Sequence, residues 1–319
     1  MVPGRKASLP VLYGDTPTFL GVDRVRVPDQ VAGRQVVFMG VPIEGAVTWG
    51  SYSGCELATK IIRHASARYG AFLPERGVDV LDHLHMADGG DVAVIPGDMA
   101  ASLAQVRAKA GGIYGQGAMP VFFGGDHTYS PDVVAALAEW TDGPVGVIQL
   151  DSHLDNAPDF GGDKFARCAP LYRIPRLKGV RAKSVVQLGI RGPRNSPLQM
   201  ALAQEAGCTV ITTHQFRAQG PERTLEQALE IAHRGTRAVY LTICSDILDA
   251  AHNPGGAPDF DGLNSHELFN LVHGIAKAGI RGMDFVEIYP FQDTANRSAH
   301  LAVWTIVHAL AGLVQGARI

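Results

Sequence analysis

Val145-Gly-Val-Ile-Gln-Leu150 is a short, largely apolar run bounded by Gly143-Pro144, and Asp151-Ser-His-Leu-Asp155 begins where it ends. The run predicts a buried strand, because strands of this length are apolar, rich in β-branched residues and punctuated by Gly and Pro. In open α/β sheets, ligands bind at the carboxyl ends of the strands. Alternation along an extended segment puts Asp151, His153 and Asp155 on one side. Three hard or borderline donors repeating every second residue make half of a metal site.

The same beat extends in both directions. Upstream, strands are expected over 35–41 and 118–123, with helices over 57–69, 99–115 and 131–140. An edge strand is expected over Val78–His85, leading into Asp88-Gly-Gly-Asp91. Downstream come strands over 184–190, 209–213, 238–243 and 282–288, interleaved with helices over 196–206, 221–234, 265–278 and 294–314. Strands alternating with helices of this length imply βαβ units and a mostly parallel sheet of roughly six to eight strands with helices on both faces. No interior linker or fixed-period repeat breaks the pattern, so residues 35–319 are expected to form one α/β domain. Residues 1–34, rich in Pro, Gly and charge, are expected to be an arm lying over the surface or over a neighbouring subunit.

Composition narrows the function classes. At 46% hydrophobic and 18% charged residues with a net charge of −3, the chain has neither the basic excess of a nucleic-acid binder nor the profile of a disordered protein. No run of about 18 apolar residues predicts a membrane span. The N-terminus lacks an apolar secretion region, and four cysteines, at 55, 168, 208 and 244, are too scattered for a disulfide framework. A cytoplasmic location is therefore expected.

Four strand ends carry donors: Asp126-His127, Asp151/His153/Asp155, Cys244/Asp246 and Glu287. One such residue is ordinarily a helix cap or a hydrogen-bonded loop residue. Four on one rim have no such explanation, because parallel strands bring their ends together. Laid out in order, Gly124-Gly-Asp-His127, Asp151-Ser-His-Leu-Asp155, Gln187-Leu-Gly-Ile-Arg191, Leu241-Thr-Ile-Cys-Ser-Asp246 with Asp249 and Pro254-Gly255, and Glu287-Ile-Tyr-Pro290 resemble the ureohydrolases. That family includes the arginases, agmatinases, guanidinobutyrases and formimidoylglutamases.

The resemblance implies a single-domain αβα sandwich assembled as trimers or hexamers. It also implies hydrolysis of a guanidino or amidino C–N bond at a dinuclear centre of divalent metal, manganese or nickel. Two cations about 3.5 Å apart lower the pKa of bound water, which matters because a guanidinium is a poor electrophile. Carried across, His127, Asp151, His153, Asp155 and Asp246 match the metal ligands. Glu287 matches the acid that receives the substrate's guanidinium, whose fork of donors suits a carboxylate. Glu287 and Asp155 are thus the candidate catalytic residues.

Two positions depart from the family pattern. Cys244 stands where the family has a metal-bridging Asp; a thiolate favours zinc, copper or nickel over manganese, and the side chain is either a ligand or packed against the sheet. Arg167 stands near the family's proton-shuttling His, and an Arg does not give up its proton. It either reaches into the cavity and takes the place of a substrate guanidinium against Glu287 or Asp155, or lies in a surface loop. The loop Gly255-Gly-Ala-Pro-Asp-Phe-Asp-Gly262 and the stretch Trp49-Gly-Ser-Tyr-Ser-Gly54 also differ from the family, which argues against arginine or agmatine as substrate. His252 and His266 are expected at the surface or in caps.

Three functions follow. The chain is the auxiliary or catalytically impaired subunit of a heteromeric amidinohydrolase, of the type seen in two-subunit biguanide hydrolases, with one metal ion or none of its own and a homologous partner subunit. Or it is an autonomous amidinohydrolase with a nickel or zinc site using Cys244. Or it is a binding protein without catalysis. In each the ligand is a small guanidino or amidino compound, and neither nucleic acid nor membrane is a partner.

Overall fold

Nine strands pair in parallel throughout one sheet, in the computed structural model that describes residues 15–45 and 53–316. From the N-terminus come β1 (Asp23–Arg24), β2 (Val36–Gly40) and α1 (Ala58–Ser66). A small antiparallel pair, β3 (Phe72–Leu73) and β4 (Val78–Asp79), precedes the short α2 (Val80–His83). Then follow β5 (Met86–Asp91), α3 (Met99–Gly115), β6 (Met119–Phe123), α4 (Ser130–Thr141) and β7 (Val145–Leu150). The second half runs α5 (Pro170–Arg173), β8 (Val180–Ile190), α6 (Pro197–Ala206), β9 (Thr209–Thr212), α7 (Thr213–Gln219) and α8 (Pro221–His233). It closes with β10 (Ala238–Cys244), α9 (Ser265–Ala278), β11 (Gly282–Val286) and α10 (Arg297–Gln315). The sheet order is β1-β5-β2-β6-β11-β10-β7-β8-β9.

Alternation within the buried strands splits the core into two layers. Val36 and Phe38 of β2, with Ile148 and Leu150 of β7, pack with α1, α8, α9 and α10 on one face. Val37 and Met39, with Val145 and Val147, pack with α3 and α4 on the other. A parallel sheet covered on both faces is the αβα sandwich, and it explains why the central strands β2, β6, β7 and β10 read as nearly continuous apolar runs.

Four readings of the sequence need correction. The sheet has nine strands rather than six to eight, because β1 adds a two-residue edge on β5. Of the expected arm, residues 15–34 are built into the domain: Phe19 is fully buried, its ring 4.5 Å from that of Phe38. Val78–His85 is not an edge strand. Asp79 caps Leu81 N and turns the chain into α2, and the strand is the following Met86–Asp91, which lies between β1 and β2. Finally, Thr294–Gln315 is by length and composition apolar enough to cross a membrane. Here 72% of its most apolar window is buried inside the domain, where α10 packs along α9, so the apolar character belongs to a core helix.

Candidate metal centre and active site

The order β6-β11-β10-β7 makes four neighbouring strands out of the four segments that carry donors, and their carboxyl ends lie side by side. After β6, Gly124 and Gly125 take positive φ, and a Cβ on Gly125 would lie 2.4 Å from the Val41 carbonyl oxygen. Only glycine fits there, and this tight passage delivers Asp126 and His127 to the rim.

After Leu150 the backbone is not extended, so alternation is not what groups Asp151, His153 and Asp155. A loop does so, with Asp155 at φ +49° and three carboxylate and imidazole side chains turned inward. Asp151 accepts from Gln149 Nε2 at 2.9 Å and from His153 N at 2.7 Å. Gln149 Oε1 accepts from Gln187 Nε2 at 2.8 Å, so buried amides on two strands aim the carboxylate. That is the structural meaning of Gln187 in its motif. Arg191, at the end of the same motif, donates to the carbonyls of Asp246 and Leu248 and pins the turn after β10.

Two groups of donors result, sharing Asp151. His127, Asp151 and Cys244 have ligand atoms within 4.8 Å of one another, as do Asp151, His153 and Asp246. Asp155 Oδ2 lies 3.0 Å from His127 Nδ1, and Asp151 Oδ2 lies 3.2 Å from it. That ring nitrogen is buried and makes no hydrogen bond. The other, Nε2, is fixed 2.8 Å from Thr242 Oγ1, which donates in turn to Asp284 at 2.6 Å. An imidazole held at its outer nitrogen, with the inner one facing carboxylates, is the arrangement of a metal ligand. His153 repeats it, with Nδ1 3.1 Å from Asp246 and Nε2 3.1 Å from Asp259.

Burial and the neighbouring charges of Asp246 and Asp155 push the Asp151 carboxyl well above the usual carboxylate range. A divalent cation would remove that repulsion, so the donors fit one or two such ions. Cys244 is fully enclosed; burial first, then the Asp151 charge, keeps its thiol well above the ordinary range. It lies among the donors rather than only against the sheet.

Arg167 is the second finding. It does not lie in a surface loop: the side chain is 4% exposed. Nη1 donates to Glu287 Oε2 at 3.0 Å and to Tyr289 Oη at 3.4 Å, and Nη2 donates to Glu44 Oε1 at 3.3 Å. Asp126 Oδ2 is 3.6 Å from Nη2. Burial opposes the charge on Arg167, and the carboxylates of Glu287 and Asp126 outweigh it. Burial likewise lifts Glu287 to about 7 while Arg167 pulls it down. Glu287 itself sits at φ +63° and accepts from His127 N at 2.8 Å, which ties the guanidinium cradle to the metal-ligand loop.

All the expected site residues, His127, Asp151, His153, Asp155, Arg167, Cys244, Asp246 and Glu287, therefore come together. A cavity of about 470 Å³ opens over them, lined also by Phe160, Cys168, Arg194, Gln199 and Tyr289. His252 and His266 are exposed, outside it. Of Trp49–Gly54, residues 49–52 lie outside the described residues. The sequence reading missed Glu44, Asp259 and the Thr242–Asp284 relay. Glu44 follows β2, so the strand-end rule would have found it; Asp259 lies in a loop with no period to mark it.

A family model described as the arginase family matches residues 34–312. The chain belongs to the arginase family. Similar relatives include the formimidoylglutamase of Halobacterium salinarum, 32% identical over 91% of this chain and 92% of that protein. The proclavaminate amidinohydrolase of Streptomyces clavuligerus is 29% identical over 91% and 90%, and the guanidinopropionase of Pseudomonas aeruginosa is 28% identical over 96% and 94%. Among solved structures, the S. clavuligerus proclavaminate amidinohydrolase superposes with a TM-score of 0.85 at 26% identity, over 95% of this chain and 99% of that one. The formiminoglutamase of Trypanosoma cruzi, solved with Mn2+, has the same fold, with a TM-score of 0.84 at 23% identity over 96% of this chain and 100% of that one. The arginase-family fold is thus that of the αβα sandwich described above.

Proposed function

We propose that this chain is the auxiliary subunit of a heteromeric amidinohydrolase of the arginase family, keeping the fold while a homologous subunit supplies the complete centre for a small guanidino or biguanide substrate. The observation that carries the reading is the Arg167 guanidinium on Glu287. A substrate guanidinium needs that carboxylate, and a covalently attached one already holds it at an effective concentration no free ligand matches. Arg167 is also a fixed cation and cannot pass a proton to a leaving amine.

In this subunit Asp151, His153 and Asp246 would hold one ion, while His127, Asp151, Asp155 and Cys244 form a second group that binds weakly or not at all with a thiol in place of a carboxylate. When bound, divalent metal supplies Lewis-acid chemistry and a more acidic water. The chain's own residues orient these ligands through Thr242, Gln149 and Asp259, and hold the guanidinium cradle closed.

A second reading, an autonomous hydrolase with a nickel or zinc site, is favoured by one observation: the ligand atoms of Cys244, His127 and Asp151 lie within 4.8 Å of one another. The two separate on metal analysis and guanidine hydrolysis by the chain expressed alone, beside Cys244→Asp and Arg167→His. The auxiliary reading expects at most one tightly bound ion and no hydrolysis in the parent, with the second ion regained in the double variant. Two tight ions and turnover in the parent would end it.

A further inference from the structure

We propose that Arg191 is a positioning residue for the ion held by Asp151, His153 and Asp246, joining the three chain segments that carry the ligands and their support. This rests on the metal-site reading above, not on the choice between an auxiliary and an autonomous subunit. The side chain is half-buried, and among the described residues its hydrogen bonds all go to backbone carbonyls. Nη2 donates to the oxygens of Asp246 at 2.6 Å, Leu248 at 3.0 Å and Asp259 at 3.5 Å. Nη1 donates to those of Ile247 and Gly189, both at 3.3 Å, and Nε to that of Phe260 at 2.8 Å. The backbone N–H of Arg191 donates to Ser152 O at 3.0 Å. One residue thus holds the backbone of Asp246, of Ser152 between Asp151 and His153, and of Asp259, whose carboxylate is 3.1 Å from His153 Nε2.

The chain is shaped to admit this fork. After β10 comes a single 3-10 turn, Ser245–Ile247, and Leu248 is already extended, so no helix follows to use the carbonyls of Asp246 and Leu248. Buried carbonyls need a donor, and Arg191 brings one to both. A Cβ on Gly262 would lie 2.5 Å from Nη2, so glycine there leaves the guanidinium its place. A planar guanidinium presents five donors in fixed directions, whereas an ammonium is a point charge with three rotating ones. With carbonyls as its partners, Arg191 supplies geometry rather than a salt bridge to a ligand. Metal sites depend on that geometry, because their donors must be held to within about 0.5 Å.

Chelator competition for Zn2+ on the full chain tests this, beside the unfolding midpoint of the metal-free chain. Arg191→Met should weaken the tight ion by about tenfold or more, and Arg191→Lys should recover only part of the loss. The visible absorption of the cobalt(II)-loaded chain should change in Arg191→Met, a signature that a role confined to stability would not move. Arg217→Met controls for loosening of the same loop, since Arg217 ties it from outside through Asp261 and the Gly262 carbonyl and reaches neither Asp246 nor Ser152. It should leave affinity and spectrum as in the parent. If Arg191→Met does not fold, Arg191→Lys decides by the same two readouts. Parent-like affinity and spectrum in the Arg191 variant, or an equal loss in Arg217→Met, would overturn the proposal and leave the metal site in place. A parent chain that binds no ion would overturn the metal-site reading and this proposal with it. Two tight ions and turnover in the parent, with the Arg191 effect intact, would remove the auxiliary reading and leave this one standing.

Discussion

Arg167 is a charge in the interior that three carboxylates surround, and breaking such an arrangement on one side is costly. Arg167→Met leaves Glu287, Glu44 and Asp126 without their cation and should cost about 3–5 kcal/mol in urea unfolding. Arg167→Met with Glu287→Leu should recover a large part of that loss, because no buried carboxylate is then stranded at 287. Additive losses in the double-mutant cycle would show that the two side chains do not act as a pair. Thr242 is the complementary case, a neutral residue that touches no donor group except through His127. Thr242→Val removes the Thr242 hydroxyl from His127 Nε2 and should weaken divalent-metal affinity by about 10–100-fold in chelator competition, with the fold unchanged. Unaltered affinity would mean that His127 does not depend on its outer hydrogen bond.

The strand ends put these residues in place, and their tolerances are those of backbone. Gly125→Ala would force a Cβ against the Val41 carbonyl at a position with φ +68°, shifting the loop that carries Asp126 and His127. The expected result is loss of metal binding together with a lower unfolding midpoint, and an unchanged midpoint would show that the loop yields. On α10, His308 is buried, stacked on Phe269 at 4.6 Å, and burial holds its pKa down to about 4 despite Glu75 nearby. Its ring is neutral in the folded chain and takes up a proton near pH 6.5 once unfolded, so stability is present above that pH and is lost as pH falls through 6.5 toward 4. His308→Leu should flatten this part of the stability curve, and a curve that keeps its slope would assign the loss to another group. What the sequence disclosed at this scale follows from the same physics. The strands of the central sheet were legible because burial on both faces makes them uniformly apolar, and the donors were legible because they sit where those runs stop. Val78–His85 was misread because a two-residue strand and a four-residue helix are too short to show a period, and Asp79 decides between them through a single cap. Arg167 left two readings open, because nothing in a chain of letters says which way a loop arginine turns.

Across the whole molecule, the donors belong to four adjacent central strands rather than to a lid or a terminus. Binding there reports on the stability of the entire sandwich, since an ion held by residues following β6, β7 and β10 binds the folded sheet and not the unfolded chain. Linkage then gives about 2.7 kcal/mol of added stability at a free metal concentration one hundred times the dissociation constant. In a chain of this size that corresponds to a rise of about 4 °C in Tm. With Cys244 among the donors, nickel or zinc should give the larger rise in the parent chain, and Cys244→Asp should shift the preference toward manganese. Hydrogen exchange should slow in the central strands together with the rise, not only in the loops at their ends. A metal that slows exchange in the loops alone, or raises Tm equally in both chains whatever its softness, would mean that Cys244 is outside the coordination sphere.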